Sequence, residues 1–411
     1  MRRVLWLAFA ALLAGAGLYA SSGGAGPSAP PPAEIAGAPL ETPPTAPLPP
    51  PPPPKASELR IDFDHVERAG DHFEAPLTDG RRVKLTLDPE LQELAEKLLD
   101  EARAPRGAIV VMAPDGKVLA LAGRRTEEPK GGKAGTFDHS LALEPWAPAA
   151  SVFKLVTASA LVAGGTAGDT SVCYHGGIRS VTESNLRDDK RDNVCQTLTF
   201  GVAHSNNAIV GKLAYKNLEP ATLSQMAKDL GLAAPPKDAV ALHAPLGEMT
   251  LPETKDLAFA KASAGFEGSK LSALGGALLA TTFADGGEQP TPRIIDDAPT
   301  AMHRVLPESI AHEVSKMMVA TCEYGSGSRA FGRHRAVPVA GKTGTLTRTD
   351  PFYMEHSWFV GYAPADKPQV VVSVVLGNPE SWHLKAPEAA RRLIDRATHR
   401  APEHAVSPRV R

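Results

Sequence analysis

Cysteine is almost missing from this chain: three occur in 411 residues. No two of them form a C-x-x-C pair, which removes dithiol redox motifs and thiolate metal cages. The thirteen histidines show no ligand spacing, so neither a metal site nor any other cofactor is expected. An excess of one charge is missing as well. Lysine and arginine total 44 against 46 acidic residues, a formal net charge of −2, and nothing in that balance points to nucleic acid. No G-x-S-x-G pentapeptide occurs, which excludes the esterase elbow. Gly341-Lys342-Thr343 resembles the end of a phosphate-binding loop. Ala336, however, stands where that loop needs its first glycine, and Val337-Pro338-Val339 reads as a strand.

What the chain does hold is three short motifs in one order: Ser151-Val-Phe-Lys154, Ser205-Asn206-Asn207 and Lys342-Thr343-Gly344-Thr345. A serine hydroxyl is a poor nucleophile at neutral pH unless a base takes its proton during attack on an acyl carbon. Ser151 and Lys154, three apart on a helix, share a face and lie within reach of each other. An amine serves as that base only when burial or neighbouring positive charge lowers its pKa, and Lys342 can supply the charge. In this reading Lys342, on a strand, draws in a substrate carboxylate. Ser205 relays a proton to the leaving amine, and Asn207 holds the substrate amide. The backbone N–H groups of Ser151 and Thr345 stabilise the acyl oxygen. Each motif alone is weak, since Ser151 would pass as a helix N-cap and Lys154 as a solvated side chain. Order and setting reverse that. Ser151 stands where an irregular stretch containing Trp146-Ala-Pro148 gives way to the apolar run Val152–Ala163, closed by Gly164-Gly165.

With these motifs on it, most of residues 83–398 resembles a penicillin-binding protein transpeptidase domain. Four further stretches carry the likeness: Leu85-Thr-Leu-Asp-Pro-Glu-Leu-Gln, Gly107-Ala-Ile-Val-Val-Met-Ala-Pro-Asp-Gly-Lys-Val-Leu-Ala, Ala262-Ser-Ala-Gly265-Phe and Trp358-Phe-Val-Gly-Tyr-Ala-Pro-Ala. There are departures. Pro148-Ala149-Ala150 replaces the Pro-Gly-Ser/Thr usual ahead of the nucleophile, and neither the long domain preceding catalysis in most large members nor room for a glycosyltransferase domain is seen. The resemblance implies an α/β (α+β) fold, an antiparallel sheet sandwiched by helices with an inserted all-helical subdomain, β-lactamase/transpeptidase-like. It implies a serine D,D-transpeptidase. Ser151 would be acylated by peptidoglycan stem peptides ending in D-Ala-D-Ala, release the terminal D-Ala and pass the acyl group to an amine of a neighbouring peptide. Penicillin would acylate the same serine.

The same resemblance makes Ser151, Lys154, Ser205 and Lys342 catalytic, and Asn207, Thr343, Gly344 and Thr345 substrate-binding. It implies as partners the stem peptides, β-lactams as covalent inhibitors, the membrane and other cell-wall synthesis proteins. A D,D-carboxypeptidase or β-lactamase-like hydrolase is one alternative, weakened by the lack of a glutamate in an E-x-x-L-N setting. A sensor or scaffold that is acylated without turnover is another, although the further spans and cytoplasmic effector it calls for are not visible.

Arg2-Arg3 followed by apolar Val4–Ala20 reads as a signal anchor or a cleaved signal peptide over residues 1–20, with the anchor favoured. The expected location is the cell envelope, anchored in the inner membrane with the catalytic domain in the periplasm, or secreted there after cleavage. Residues 21–56, rich in Ala, Gly, Ser and Pro, cannot bury a core. As a spacer of about thirty residues in polyproline geometry they reach on the order of 90 Å. A lead-in of short strands and turns over 57–105 ends in a helix opened by Asp88-Pro89. The transpeptidase domain is expected over 106–400 and a flexible tail over 401–411. Within the domain, Gly107–Ala113 and Lys117–Ala122 read as a hairpin and 200–285 as mostly helical. Val337–Thr347, His356–Tyr362 and Gln369–Leu376 read as adjacent antiparallel strands, with Ala386–Ala397 as a closing helix. Cys173 and Cys195 bracket a polar stretch, and a disulfide closing it fits an exported protein. Cys322 is then either buried and inert or the partner of one of the others.

Overall fold

Asp88 accepts hydrogen bonds from the N–H groups of Glu90 and Leu91, and Pro89 fills the first helical position, where no donor is needed. Helix α1 (Pro89–Ala102) starts there and buries Leu91, Leu98 and Leu99. This computed structural model describes residues 58–126, 134–177, 179–332, 335–350 and 352–399. The chain divides into two units, Met1–Pro52 and Pro53–Arg411, and every described residue belongs to the second. The anchor or signal segment, the spacer and the tail expected at 1–20, 21–56 and 401–411 lie outside the described residues. Among the described residues, no helix is long and apolar enough to cross a membrane.

The centre is a six-stranded antiparallel sheet. Its strands are β1 (Arg106–Met112), β2 (Val118–Arg125), β3 (Thr136–Phe137), β4 (Ala340–Arg348), β5 (Met354–Ala363) and β6 (Val370–Asn378), in the order β4-β5-β6-β1-β2-β3. β1 from Gly107 on and most of β6 are apolar because both of their faces are covered. Val110 and Met112 enter the core beneath helices α2 (Lys154–Ala163) and α7 (Ala273–Ala284), whereas Ile109 and Val111 join α1 and α10 (Ala386–His399) on the other face. α1 precedes the expected domain start at 106 yet shares this core. The sheet is therefore sandwiched by helices, as expected. Helix α7 is buried all round. It lies close on the sheet because Gly276 has no side chain: a Cβ there would meet Ser373 Oγ at 2.6 Å and Val360 at 2.9 Å.

Between β3 and β4 the chain forms the helical layer. It holds α2, α3 (Leu198–Ala203), α4 (Asn207–Asn217), α5 (Pro220–Asp229), α6 (Leu257–Ser263), α7, α8 (Glu308–Glu323) and α9 (Ser328–Phe331). This layer also carries short strand pairs. Ser171–Tyr174 pairs with Val194–Thr197, and Ser269–Leu271 pairs with both Gly247–Met249 and Ala147–Pro148. Cys173 stands opposite Cys195 in the first pair, and the two form a disulfide. Cys322, on α8, is free and buried.

Candidate active site

Three elements converge on one cleft. A 3₁₀ turn, Ala150–Phe153, runs directly into α2 and carries Ser151 at its second position. Ala150 adopts a left-handed backbone, φ 49°, a conformation that strains any residue with a Cβ. The turn is wedged against Gly265, whose own φ is +88° and where a Cβ would lie 1.9 Å from the carbonyl oxygen of Ala150. Only glycine fits there. The link between α3 and α4 carries Ser205, again left-handed at φ 56°. Asn206 then caps α4 by accepting from the N–H of Ile209 at 3.1 Å, so the second asparagine, Asn207, is the one committed to the site. The third element, β4, is an edge strand, and its outer backbone groups face the cleft rather than another strand.

Lys154 is fully buried. Its Nζ lies 2.8 Å from Ser151 Oγ and donates to Asn207 Oδ1 at 2.7 Å and to the carbonyl of Ala264 at 2.6 Å. Burial first, and the positive charge of Lys342 second, hold its pKa well below the ordinary lysine value. Lys342 is also fully buried, and its Nζ donates to Ser205 Oγ at 3.1 Å and to the carbonyl of Thr343 at 2.8 Å. Burial pushes its pKa down to about 7. Thr343 Oγ1 lies 2.6 Å from Ser326 Oγ. The cleft above has a volume of about 690 Å³ and is lined by Ser151, Ser205, Asn207 and Thr343 to Thr345 among others. Both lysines lie beneath it and reach it through their serines.

All eight residues singled out in the sequence thus meet at one place: Ser151, Lys154, Ser205, Asn207, Lys342, Thr343, Gly344 and Thr345. A Cβ at Gly344 would stand 3.1 Å from Trp358 Cβ on the neighbouring strand, a tight contact, and 3.4 Å from Ala150 Cβ and Val152 Cγ2, an ordinary one with the turn that carries Ser151. Three participants were not singled out. The carbonyl of Ala264 has no sequence signature, because every residue has one. Ser326 sits in Gly325-Ser-Gly327 beyond α8, and a glycine pair around a serine was its only signal. Arg179 lines the cleft from the disulfide-closed segment, and its bracketing by Cys173 and Cys195 was the only hint. Cys322 takes no part, since burial raises its thiol pKa far beyond the reactive range.

Residues 107–395 match the penicillin binding protein transpeptidase domain. Penicillin-binding protein PbpB of Mycolicibacterium smegmatis is 24% identical over 340 residues, covering 74% of this chain and 51% of that protein. Peptidoglycan D,D-transpeptidase PbpA of Mycobacterium tuberculosis is 24% identical over 350 residues, covering 76% and 70%. The structure of penicillin-binding protein A from M. tuberculosis as a ceftriaxone acyl-enzyme complex superposes with a TM-score of 0.57 at 21% identity, covering 77% of this chain and 79% of that one. The chain spans about half the length of the first curated relatives it matches. With the sheet, the three motifs and the domain match in agreement, the chain belongs to the penicillin-binding protein transpeptidase domain family.

Proposed function

We propose that this chain is a serine D,D-transpeptidase of peptidoglycan, with Ser151 as nucleophile and Lys154 as its base. The observation that carries the reading is the bonding around Lys154. A neutral amine has two N–H groups and one lone pair. Asn207 Oδ1 and the Ala264 carbonyl take the two hydrogens, which leaves the lone pair toward Ser151 Oγ at 2.8 Å. Burial and the charge of Lys342 favour that neutral form.

The reaction then runs in two balanced halves. Ser151 Oγ bonds to the carbonyl carbon of the penultimate D-Ala while its proton passes to Lys154. The backbone N–H groups of Ser151 and Thr345 hold the developing oxyanion. Ser205, backed by Lys342, protonates the departing D-Ala nitrogen as the C–N bond breaks, leaving an ester on Ser151. An acceptor amine attacks that ester, the proton path reverses, and Ser151 regains its hydrogen as the cross-link forms. Thr343 and Thr345 receive the terminal carboxylate, Lys342 beneath them draws it in by its charge, and Asn207 receives the peptide amide. Penicillin opens its lactam onto the same oxygen, and the ceftriaxone acyl-enzyme of the mycobacterial relative supports this. The same reading assigns residues 106–400 to the catalytic domain, held in the periplasm by an anchor at 1–20 and lifted by the spacer at 21–56. Stem peptides and other cell-wall synthesis proteins are its partners.

Intact mass of the purified full chain after mixing with benzylpenicillin tests this. A lasting adduct on Ser151, absent from Ser151→Ala, is expected, followed by cross-linked product from a D-Ala-D-Ala peptide and an amine acceptor. Labelling of Ser151→Ala would sink the assignment. An adduct that vanishes within seconds would favour the hydrolase instead.

A further inference from the structure

Between Cys173 and Cys195 the chain holds a segment far more firmly fixed than a surface loop requires. The disulfide closes it. Lys212, fully buried on α4, donates to the carbonyl of Cys173 at 2.9 Å and to Asp192 Oδ2 at 2.5 Å. His175 Nδ1 lies 2.6 Å from the other oxygen of Asp192, and the carbonyl of His175 accepts from Asn185 Nδ2 at 2.8 Å. Gly177 seats the segment on the first turn of α4. Its carbonyl accepts from Ala208 N–H at 3.0 Å, and a Cβ at Gly177 would lie 2.4 Å from that of Ala208. The segment is thereby clamped one residue from Asn207, and two positions beyond Gly177 it presents Arg179 on the cleft wall.

Among the described residues lining the cleft one other cation stands, the half-buried Lys385, and it is committed to Glu355 at 3.2 Å. Among the described residues no carboxylate pairs with Arg179. We infer that Arg179 is a specificity-determining residue that pairs with a carboxylate of the acyl-donor peptide N-terminal to its D-Ala-D-Ala pair. The inference rests on the acyl-transfer reading and extends it. With the terminal carboxylate on the β4 side, the rest of the donor leaves Ser151 along the α4 side, where Arg179 stands. Two carboxylates supply this chemistry: the side-chain carboxylate of a diamino-dicarboxylic residue just before the pair, and the α-carboxylate of a γ-linked glutamate before that. A guanidinium makes a forked, charge-assisted contact with either.

The test uses the purified full chain and three D-Ala-D-Ala peptides: one with both carboxylates free, one with the diamino-acid carboxylate amidated and one with the glutamate carboxylate amidated. Each competes against a fluorescent penicillin, and the concentration that halves the labelling rate is read. About a tenfold weaker competition on amidating one carboxylate is expected, a difference of about 1.4 kcal/mol, and the weaker peptide identifies which carboxylate is bound. That ratio falls to about one in Arg179→Ala and is partly restored in Arg179→Lys. Equal competition by all three, no competition by any, or a ratio retained in Arg179→Ala overturns the inference while penicillin labelling persists. No labelling at all removes the acyl-transfer reading itself.

Discussion

Around Lys154 two oxygens accept hydrogens and one hydroxyl faces the remaining position, and this bonding predicts the first variant. Lys154→Ala slows penicilloylation by about 10²–10⁴-fold, the usual contribution of a general base, while circular dichroism stays that of the folded chain. Lys342 gives a pH test. Its folded pKa of about 7 lies below the value near 10.4 of an unfolded lysine. Between those values the unfolded chain holds a proton that the folded chain has lost, so raising the pH favours the fold. Denaturant titrations from pH 7 to pH 10 should show stability rising more steeply in the native chain than in Lys342→Met. Ala150 gives a third test. A buried Ala→Gly change such as Ala158→Gly in α2 loses packing and gains unfolded-state entropy, but at φ 49° glycine also relieves strain. Thermal unfolding should show Ala150→Gly less harmful than Ala158→Gly by about 1 kcal/mol. At this scale the sequence was legible wherever a side-chain type marks a place in the cleft, as for Ser151 and Lys342. It was silent where a backbone group does the work, as at Ala264.

The segment from Cys173 to Cys195 owes its stability to the disulfide and to buried Lys212, and each contribution can be measured. Replacing both cysteines with alanine should lower unfolding free energy by about 3 kcal/mol on the loop-entropy account. Asp192→Ala, which leaves buried Lys212 with only the exposed carboxylate of Asp188 at 3.1 Å, should lower it by less than the roughly 3–5 kcal/mol of a fully stranded ion. Gly265→Ala strikes the other wall. Its Cβ would press on the carbonyl of Ala150, which precedes Ser151, so both melting temperature and labelling by penicillin should fall. Long elements were readable before the structure because their periods repeat. β4, β5 and β6 lie over the strands read from the sequence, and α10 extends the closing helix read at Ala386–Ala397 to His399. The 3₁₀ turn under Ser151 and the strand pairs of two to four residues were not, because elements that short contain no full period. The turn depends instead on Ala150 being forced left-handed by its neighbours.

The sheet is assembled from both ends of the chain. β6 pairs with β1 on one side and with β5 on the other, so the strands of the hairpin at 106–125 wait for residues near 370 before the sheet is continuous. That topology was legible as a pattern, strands at both ends with helices between, because apolar runs bounded by helical stretches fit few layered arrangements. The pairing order itself was not, since periodicity says which faces are buried and not which edges meet. A chain ending at Arg348 retains all three motifs yet lacks β5 and β6, and gel labelling of it with fluorescent penicillin should show no band. On the acyl-transfer reading, reactivity is expected to arrive only with the last strand. Every reactive side chain is present by Thr345, yet a growing chain should stay unlabelled by penicillin until the strand ending at Asn378 has bridged the two halves of the sheet.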